Sequence, residues 1–387
     1  MDLKIGSEFD ASSSAHTTIS RFALLSIAMI FLVSRATLLV VADLSFTNLL
    51  QDSGGHAGWL SYLCRWDCGW YLSIAQNGYS SVEDPTQPGA TNYAFYPLFP
   101  LLVRIVAPIF AWNYLLTAII VSNACFLAAL VYVYRYARLL GYDQTSGLLA
   151  VALLCILPQS IVFSAVYSES TFLLLLVAAV YYTRTERYLA AGIFAGLLSA
   201  SRANGIFFIL FALVWAIRKD TLRGFLRPWQ RPELYIPIVF APMGLFFFLG
   251  YCFLTTGDAF AHSTSELYGW GWSFGSPWVN LRVLLSAPGI GPLSVLIGML
   301  VLACSTLLLQ ARRYEEFILC LALILLVWSG HAQASLFRYW LVLFPVWVAV
   351  AGSLSSRPIV SMMTFSVLAV LNGTMTCAWI LQKLIAI

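Results

Sequence analysis

The sequence predicts an all-α, polytopic integral membrane protein with about 11 transmembrane helices and a long first outer loop that carries interfacial helices. Three observations support that expectation. Of the 387 residues, 60% are hydrophobic and only 10% are charged, and the mean hydropathy is +0.84, a composition foreign to soluble domains. Apolar runs of about 14 to 24 residues recur along the chain, where a bilayer span needs about 20. The basic residues fall in alternate loops, as the bias of Lys and Arg toward the cytoplasmic side requires.

Residues 1–20 are polar and include Asp2, Glu8 and Asp10. They lack the charged-then-apolar layout and small-residue cleavage site of a signal peptide, so the first apolar run reads as a retained span. The expected spans are 22–42, 113–134, 146–164, 169–183, 188–201, 204–217, 235–254, 291–310, 316–330, 338–353 and 359–381. The stretch Tyr93 to Phe110 (YAFYPLFPLLVRIVAPIF) is excluded, because Pro97, Pro100 and Pro108 would break a helix and Arg104 would lie at mid-bilayer. It reads as juxtamembrane helices or a re-entrant segment lining a protein cavity. Its exclusion places Arg21, Arg135, Arg138, Arg184, Arg187, Arg218, Arg312 and Arg313 on the cytoplasmic side with the N-terminus.

Residues 1–387 then form a single transmembrane domain. It has a first outer loop at 43–112, a basic cytoplasmic loop at 218–233 (RKDTLRGFLRPWQRPE) and a further outer loop at 255–290. Long polar outer loops set against short basic inner ones put the working surface outside. The basic residues flank spans rather than forming a patch, which argues against a nucleic-acid partner. Six cysteines, Cys125, Cys155, Cys252, Cys304, Cys320 and Cys377, fall in spans and read as small packing residues. Cys64 and Cys68 lie outside at i and i+4. Side chains so spaced on one helix project in parallel, so neither a disulfide nor a zinc site is expected there.

The first outer loop concentrates the chemistry. In Arg65 to Tyr79 (RWDCGWYLSIAQNGY), Trp66, Trp70 and Ile74 repeat every four residues, and Asp67 and Tyr71 repeat on the neighbouring stripe. That pattern predicts an interfacial helix with its indoles at headgroup level. The bland reading of the aromatics is an amphipathic anchor. Asp67 beside Arg65 and Trp66 in so apolar a chain points instead to function. Tyr167-Ser168-Glu169-Ser170 opens a span, where Ser168 is placed to cap the helix and Glu169 suits its N-terminal dipole.

Ser201-Arg202-Ala203-Asn204-Gly205 sets an arginine between two apolar runs, a costly position unless it is paired or bound to an anion. A lipid phosphate fits its guanidinium fork; an ion pair with Glu169 or Asp67 is the alternative. Arg338, at the start of a late span, is a second candidate phosphate or acceptor contact, or snorkels to the headgroups. His262, His331, Asp258 and Glu266 face outward, each a weak signal alone. There is no HExxH motif, glycine-rich phosphate loop or metal-ligand set, so no metal and no cofactor is implied.

RWDCGWYLSIAQNGY, then YAFYPLFPLL, VYSESTF and LSASRANG, together resemble the family of second mannosyltransferases of GPI-anchor synthesis and its prokaryotic relatives. That family belongs to the GT-C superfamily of multi-span glycosyltransferases. The resemblance covers residues 60–210, with Ala203 where the family pattern has Ser. It implies a GT-C-like fold and a polyprenyl- or dolichyl-phosphate donor, usually of mannose. It also implies an inverting transfer at the outer face, with a loop-one carboxylate as base.

Carried onto this chain, the base is Asp67. Arg202 and Arg338 would stabilise the leaving phosphate, with Arg65 orienting Asp67. Trp66, Tyr71, Tyr96, Tyr167, Glu169, Asn204 and His262 complete the expected substrate-binding set. The partners implied are the lipid-linked donor, a glycan, lipid or protein acceptor, and membrane lipids. A short chain without long luminal insertions points to a bacterial inner membrane, with the site facing the periplasm or exterior. A flippase or transporter of lipid-linked sugars, or a non-catalytic subunit of a glycosylation complex, are the alternatives.

Overall fold

The computed structural model describes residues 19–49, 58–286, 291–330 and 336–383, and all regular structure among them is helical apart from two isolated β-bridges. The polar stretch 1–18 and His331 lie outside the described residues. The first expected span is α1 (Arg21–Leu49). The first outer loop contains α2 (Cys68–Asn77) and α3 (Leu98–Val106), and α4 (Tyr114–Leu139) follows. With the 3₁₀ turn Ala107–Phe110 that continues α3, the helical run Leu98–Phe110 rises roughly 20 Å, short of a hydrocarbon thickness of about 30 Å. Pro97 caps α3 and Pro100 sits in its first turn, where the missing N–H would have had no partner anyway.

The next four helices are α5 (Gln144–Ile156), α6 (Glu169–Arg184), α7 (Tyr188–Ser201) and α8 (Phe208–Phe225). The expected span 146–164 is corrected. Its helix stops at Ile156, because Pro158 removes a donor and pushes Leu157 into extended backbone (ψ 141°). Gln159 then turns left-handed at φ 67°, and a 3₁₀ turn occupies Ser160–Phe163.

That break is held by a residue the sequence reading passed over. Arg35 lies inside α1 and is 7% exposed. It donates from Nη2 to the Cys155 carbonyl (2.7 Å) and from Nη1 to the Ser160 carbonyl (2.8 Å), with its guanidinium 5.1 Å from the Phe126 ring centroid. Carbonyls released by the broken helix thus find donors inside the protein, the condition for non-helical backbone at membrane depth.

The remaining helices are α9 (Ile236–Phe240), α10 (Met243–Thr256), α11 (Ala261–Trp270), α12 (Pro277–Ser286), α13 (Gly291–Gln310), α14 (Tyr314–Ser329), α15 (Leu336–Leu341), α16 (Phe344–Ser355) and α17 (Pro358–Ile380). Each expected span falls on a helix or a broken pair. Among the described residues, five segments are long and apolar enough to cross a membrane: Arg21–Thr47, Tyr114–Leu139, Pro232–Thr256, Gly291–Gln310 and Pro358–Ile380. The expected 235–254 and 338–353 are each interrupted, at Ala241–Pro242 and at Val342–Leu343. Helix α10 packs closely on α7 because residue 244 is glycine: a Cβ there would lie 2.2 Å from the Gly196 carbonyl oxygen.

Helix α6 is the centre of the core, buried along almost its whole length against α4 and α7. Its two ends carry separate charged clusters, roughly 22 Å apart at 1.5 Å per residue. At the C-terminal end Arg184 pairs with Glu316 (2.5 Å) and Glu315 (2.8 Å), which are 0% and 2% exposed. Arg218 also reaches Glu315, and the Tyr136 hydroxyl donates to Glu316 (2.8 Å). This network joins α4, α6, α8 and α14. At the N-terminal end lies Glu169, where the first outer loop converges.

Candidate active site

Around that N-terminal end is a cavity of about 520 Å³, walled by Asp67, Tyr71, Tyr96, Arg202, Asn204, His262, Glu266 and Arg338 among others. Its floor is an ion-pair chain. Arg338 donates from Nη1 to Asp67 Oδ2 at 2.7 Å, and its Nε lies 3.4 Å from Glu169 Oε1. Arg202 Nη1 donates to the same Glu169 oxygen at 2.5 Å and to Ser168 Oγ at 3.3 Å. The guanidinium carbons of both arginines lie over the Tyr339 ring, at 4.9 Å for Arg202 and 5.8 Å for Arg338. Two cations and two carboxylates therefore balance in a largely buried cluster, where their fields are stronger than in bulk water.

Asp67 is presented by a strained turn. Trp66 adopts φ 44°, a left-handed conformation costly for an aromatic residue. A Cys64–Cys68 disulfide brackets that turn, with Cα atoms 5.2 Å apart. The expectation of no disulfide is therefore corrected. The two cysteines do not share a helix, because Cys64 is extended at the end of a 3₁₀ turn and Cys68 opens α2. Tyr167 fixes the turn from below: its hydroxyl donates to the Arg65 carbonyl (3.2 Å) and accepts from the Asp67 N–H (3.3 Å).

The aromatic stripe is corrected as well. With Trp66 outside α2, its indole meets Trp379 edge-on (4.7 Å), whereas Trp70 stacks on Phe95 (5.9 Å) and meets Trp270 (5.5 Å). These indoles pack against protein, and α2 buries Cys68, Tyr71, Ile74 and Ala75. It forms one wall of the site. Arg65 forms no ion pair with Asp67 and its Nε has no partner; Arg338 holds that carboxylate instead. Ser168 does not cap α6, since its hydroxyl is shared with Tyr71 Oη (3.0 Å) and Arg202. Arg338 does not snorkel, being 7% exposed and doubly paired.

Of the expected residues, Asp67, Tyr71, Tyr96, Arg202, Asn204, His262 and Arg338 line the cavity. Tyr167 and Glu169 lie directly behind it, contacting its charged groups. Trp66 and Arg65 do not face it. Gly205 closes the Arg202 turn onto α7, where a Cβ would meet the Leu198 carbonyl oxygen at 2.5 Å. Among the described residues, Asn204 Oδ1 and His262 Nδ1 are buried without a geometric hydrogen bond, although the His262 ring lies beside the Tyr93 and Ala94 backbone.

The roof is α11. It is pinned by Ser265 Oγ, which accepts from the Thr91 N–H (2.8 Å) and donates to the Thr91 carbonyl (3.0 Å), and by Gln87 Nε2 donating to the Gly269 carbonyl (2.6 Å). Burial pushes His262 down to about 4, so it is neutral at physiological pH. Glu266 and Tyr339 are cavity residues that sequence reasoning did not assign; the one readable signal for Tyr339 was its adjacency to Arg338. Among the described residues no group of three His, Cys, Asp or Glu side chains is arranged to hold a metal.

Comparison with known proteins adds four findings. The family model described as Mannosyltransferase (PIG-V) matches residues 20–226. The mouse protein GPI alpha-1,6-mannosyltransferase 2 is 29% identical over 225 residues, covering 52% of this chain and 43% of that protein. The Chinese hamster (Cricetulus griseus) protein of the same name is 30% identical over 166 residues, 40% of this chain and 32% of its own length. The chain thus spans less than half the length of these curated relatives. Among solved structures, ArnT from Cupriavidus metallidurans bound to undecaprenyl phosphate aligns with a TM-score of 0.50 at 14% identity, over 84% of this chain and 60% of that one. That likeness concerns the fold.

Proposed function

Because the chain belongs to the PIG-V mannosyltransferase family, we propose that it transfers a mannosyl group from a polyprenyl- or dolichyl-phosphate donor to an acceptor hydroxyl at the non-cytoplasmic membrane face. The observation that carries this reading is the Asp67–Arg338–Glu169–Arg202 chain on the wall of one cavity. It puts a carboxylate and two guanidinium groups around a space large enough for a sugar phosphate. An apolar groove of about 470 Å³ on the other side of α10, lined by α7 and α10, suits the lipid tail.

In the proposed step the acceptor oxygen attacks the sugar C1 from the face opposite the phosphate. The C1–O bond to phosphate breaks, its electron pair leaves with the phosphate, and the hydroxyl proton passes to Asp67. Arg202 and Arg338 stabilise the charge growing on the leaving phosphate without a metal. In moving toward that phosphate, Arg338 frees the Asp67 oxygen it now occupies.

Sorting of basic residues supports an outward-facing site, and the two charged ends of α6 agree with it. The Cys64–Cys68 disulfide adds support, since such bonds persist in oxidising compartments; a bacterial inner membrane with a periplasmic or exterior site is the proposed setting. In intact cells, a cysteine introduced at position 86 should react with an impermeant thiol reagent, and one at 225 should not. Labelling at both positions would mean that 93–110 crosses the membrane, and the reverse pattern would mean that the whole chain is inverted.

Purified protein supplied with polyprenyl-phosphate-mannose and a panel of acceptors tests the transfer itself. Movement of the lipid across vesicles without a new glycosidic bond would favour a flippase, and neither result would favour a subunit. In that assay Arg202→Lys should keep part of the activity, as it retains charge but loses the fork. Arg202→Ala should raise the donor requirement sharply. Glu169→Gln is the control, because Glu169 is the partner Arg202 already has. If Arg202→Ala unfolds the protein while the surviving fraction binds donor normally, Arg202 is structural.

A further inference from the structure

Glu266 is the unmatched acid of the cavity. Arg202 and Arg338 are each compensated, by Glu169 and by Asp67. The Glu266 carboxyl has no ion pair and no hydrogen bond among the described residues, although it lines the same space. An ionised Glu266, itself half-buried, would give three carboxylates against two guanidinium groups in one cavity. It would also repel the phosphate that the site is proposed to take. Burial first, then the charge of Asp67, push Glu266 up to about 7, and Arg338 and Arg202 only partly oppose this.

The titratable groups facing it are Asp67 and Tyr71 on the α2 wall, Tyr96 ahead of α3, Arg202 after α7, Arg338 and Tyr339 on α15, and His262 one turn back on α11. The tyrosine of α2 and that ahead of α3 are held neutral by burial. His262, at i−4 to Glu266, shares its cavity-facing side of α11, so the roof offers hydrogen bonds without charge.

We infer that Glu266 is a third contact to the donor phosphate: its carboxyl keeps its proton and donates it in a hydrogen bond to a phosphate oxygen. The inference rests on the lipid-phosphate donor reading above. Compensated arginines leave a phosphate short of donors, and a neutral carboxyl supplies one without adding a charge to be balanced. Lysine or arginine at this position would overload the site with cations. A carboxyl is also released by rising pH, which makes the contact testable.

The probe is polyprenyl-phosphate-mannose, a phosphodiester that does not titrate near neutrality, with binding and transfer measured separately across the range around pH 7. Wild-type donor affinity should fall by about tenfold per pH unit once pH exceeds about 7. Glu266→Gln keeps an N–H donor that cannot titrate, so its affinity should be near wild type at low pH and stay flat. Glu266→Ala should bind about tenfold or more weakly at low pH, also without an alkaline fall. Neither variant removes a contact that holds α11, since its anchors are Ser265, Gly269 and Trp270.

An alkaline fall that persists in Glu266→Gln, or wild-type affinity in Glu266→Ala at low pH, would overturn the inference. So would a folded Glu266→Gln as weak as Glu266→Ala, which would mean that the charged form is needed. Normal pH-dependent donor binding with no sugar transfer would instead sink the transferase reading and leave this contact standing.

Discussion

Asp67→Asn should lower turnover by about 10²–10⁴-fold, the usual effect of removing a positioned base, with donor affinity unchanged or slightly higher. Asparagine keeps the shape and can still accept the Arg338 hydrogen bond now made at 2.7 Å. The turn that presents the side chain is held through backbone atoms of residues 65 and 67 by Tyr167, so the fold survives the change. What goes is the negative charge that takes the acceptor proton. Losing one carboxylate also leaves Arg202 and Arg338 facing only Glu169, a surplus of positive charge that favours phosphate. Steady-state transfer assays separate the two effects. Turnover near wild type, or a large loss of donor affinity with turnover intact, would remove Asp67 from the chemistry.

Arg184→Leu should destabilise the protein by about 3–5 kcal/mol, the range for stranding a buried charge. Glu316 is 0% exposed and would lose its ion-pair partner, while Glu315 would keep Arg218. Among the described residues, the Tyr136 hydroxyl would remain as the donor to Glu316. The double variant Arg184→Leu/Glu316→Leu should recover most of the loss, because a well-packed apolar pair avoids the desolvation of both charges. Unfolding in detergent micelles measures each variant. A single variant within about 1 kcal/mol of wild type would show that water reaches the cluster.

Much of the site could be read from the chain because charge is rare in so apolar a sequence. Asp67, Glu169, Arg202 and Arg338 each stand out against their surroundings, and all four meet in the structure. Their pairing could not be read. Arg338 and Asp67 are 271 residues apart, and nothing local distinguishes a guanidinium bound to a carboxylate from one awaiting a phosphate. Periodicity misled at 66–74, because a stripe of residues four apart assumes an unbroken helix and Trp66 is left-handed. The disulfide was missed for the same reason. Glu266 looked like an ordinary loop acid, since burial comes from the roof helix packing onto Thr91 and Ala90, which sequence spacing does not encode.

Arg35 has a consequence for how the protein is made. An arginine near the middle of a membrane helix raises the free energy of insertion by about 2.5–3.5 kcal/mol on translocon-based scales. The carbonyls that accept its hydrogen bonds belong to Cys155 and Ser160, 120 and 125 residues further along. At about 5–20 residues per second, the ribosome needs roughly 6–25 s to deliver them. During that interval α1 depends on its own leucines, isoleucines and valines, or on water drawn toward the guanidinium, to stay in place. Its settled position in the bilayer is thus written partly in a hairpin that emerges later in translation.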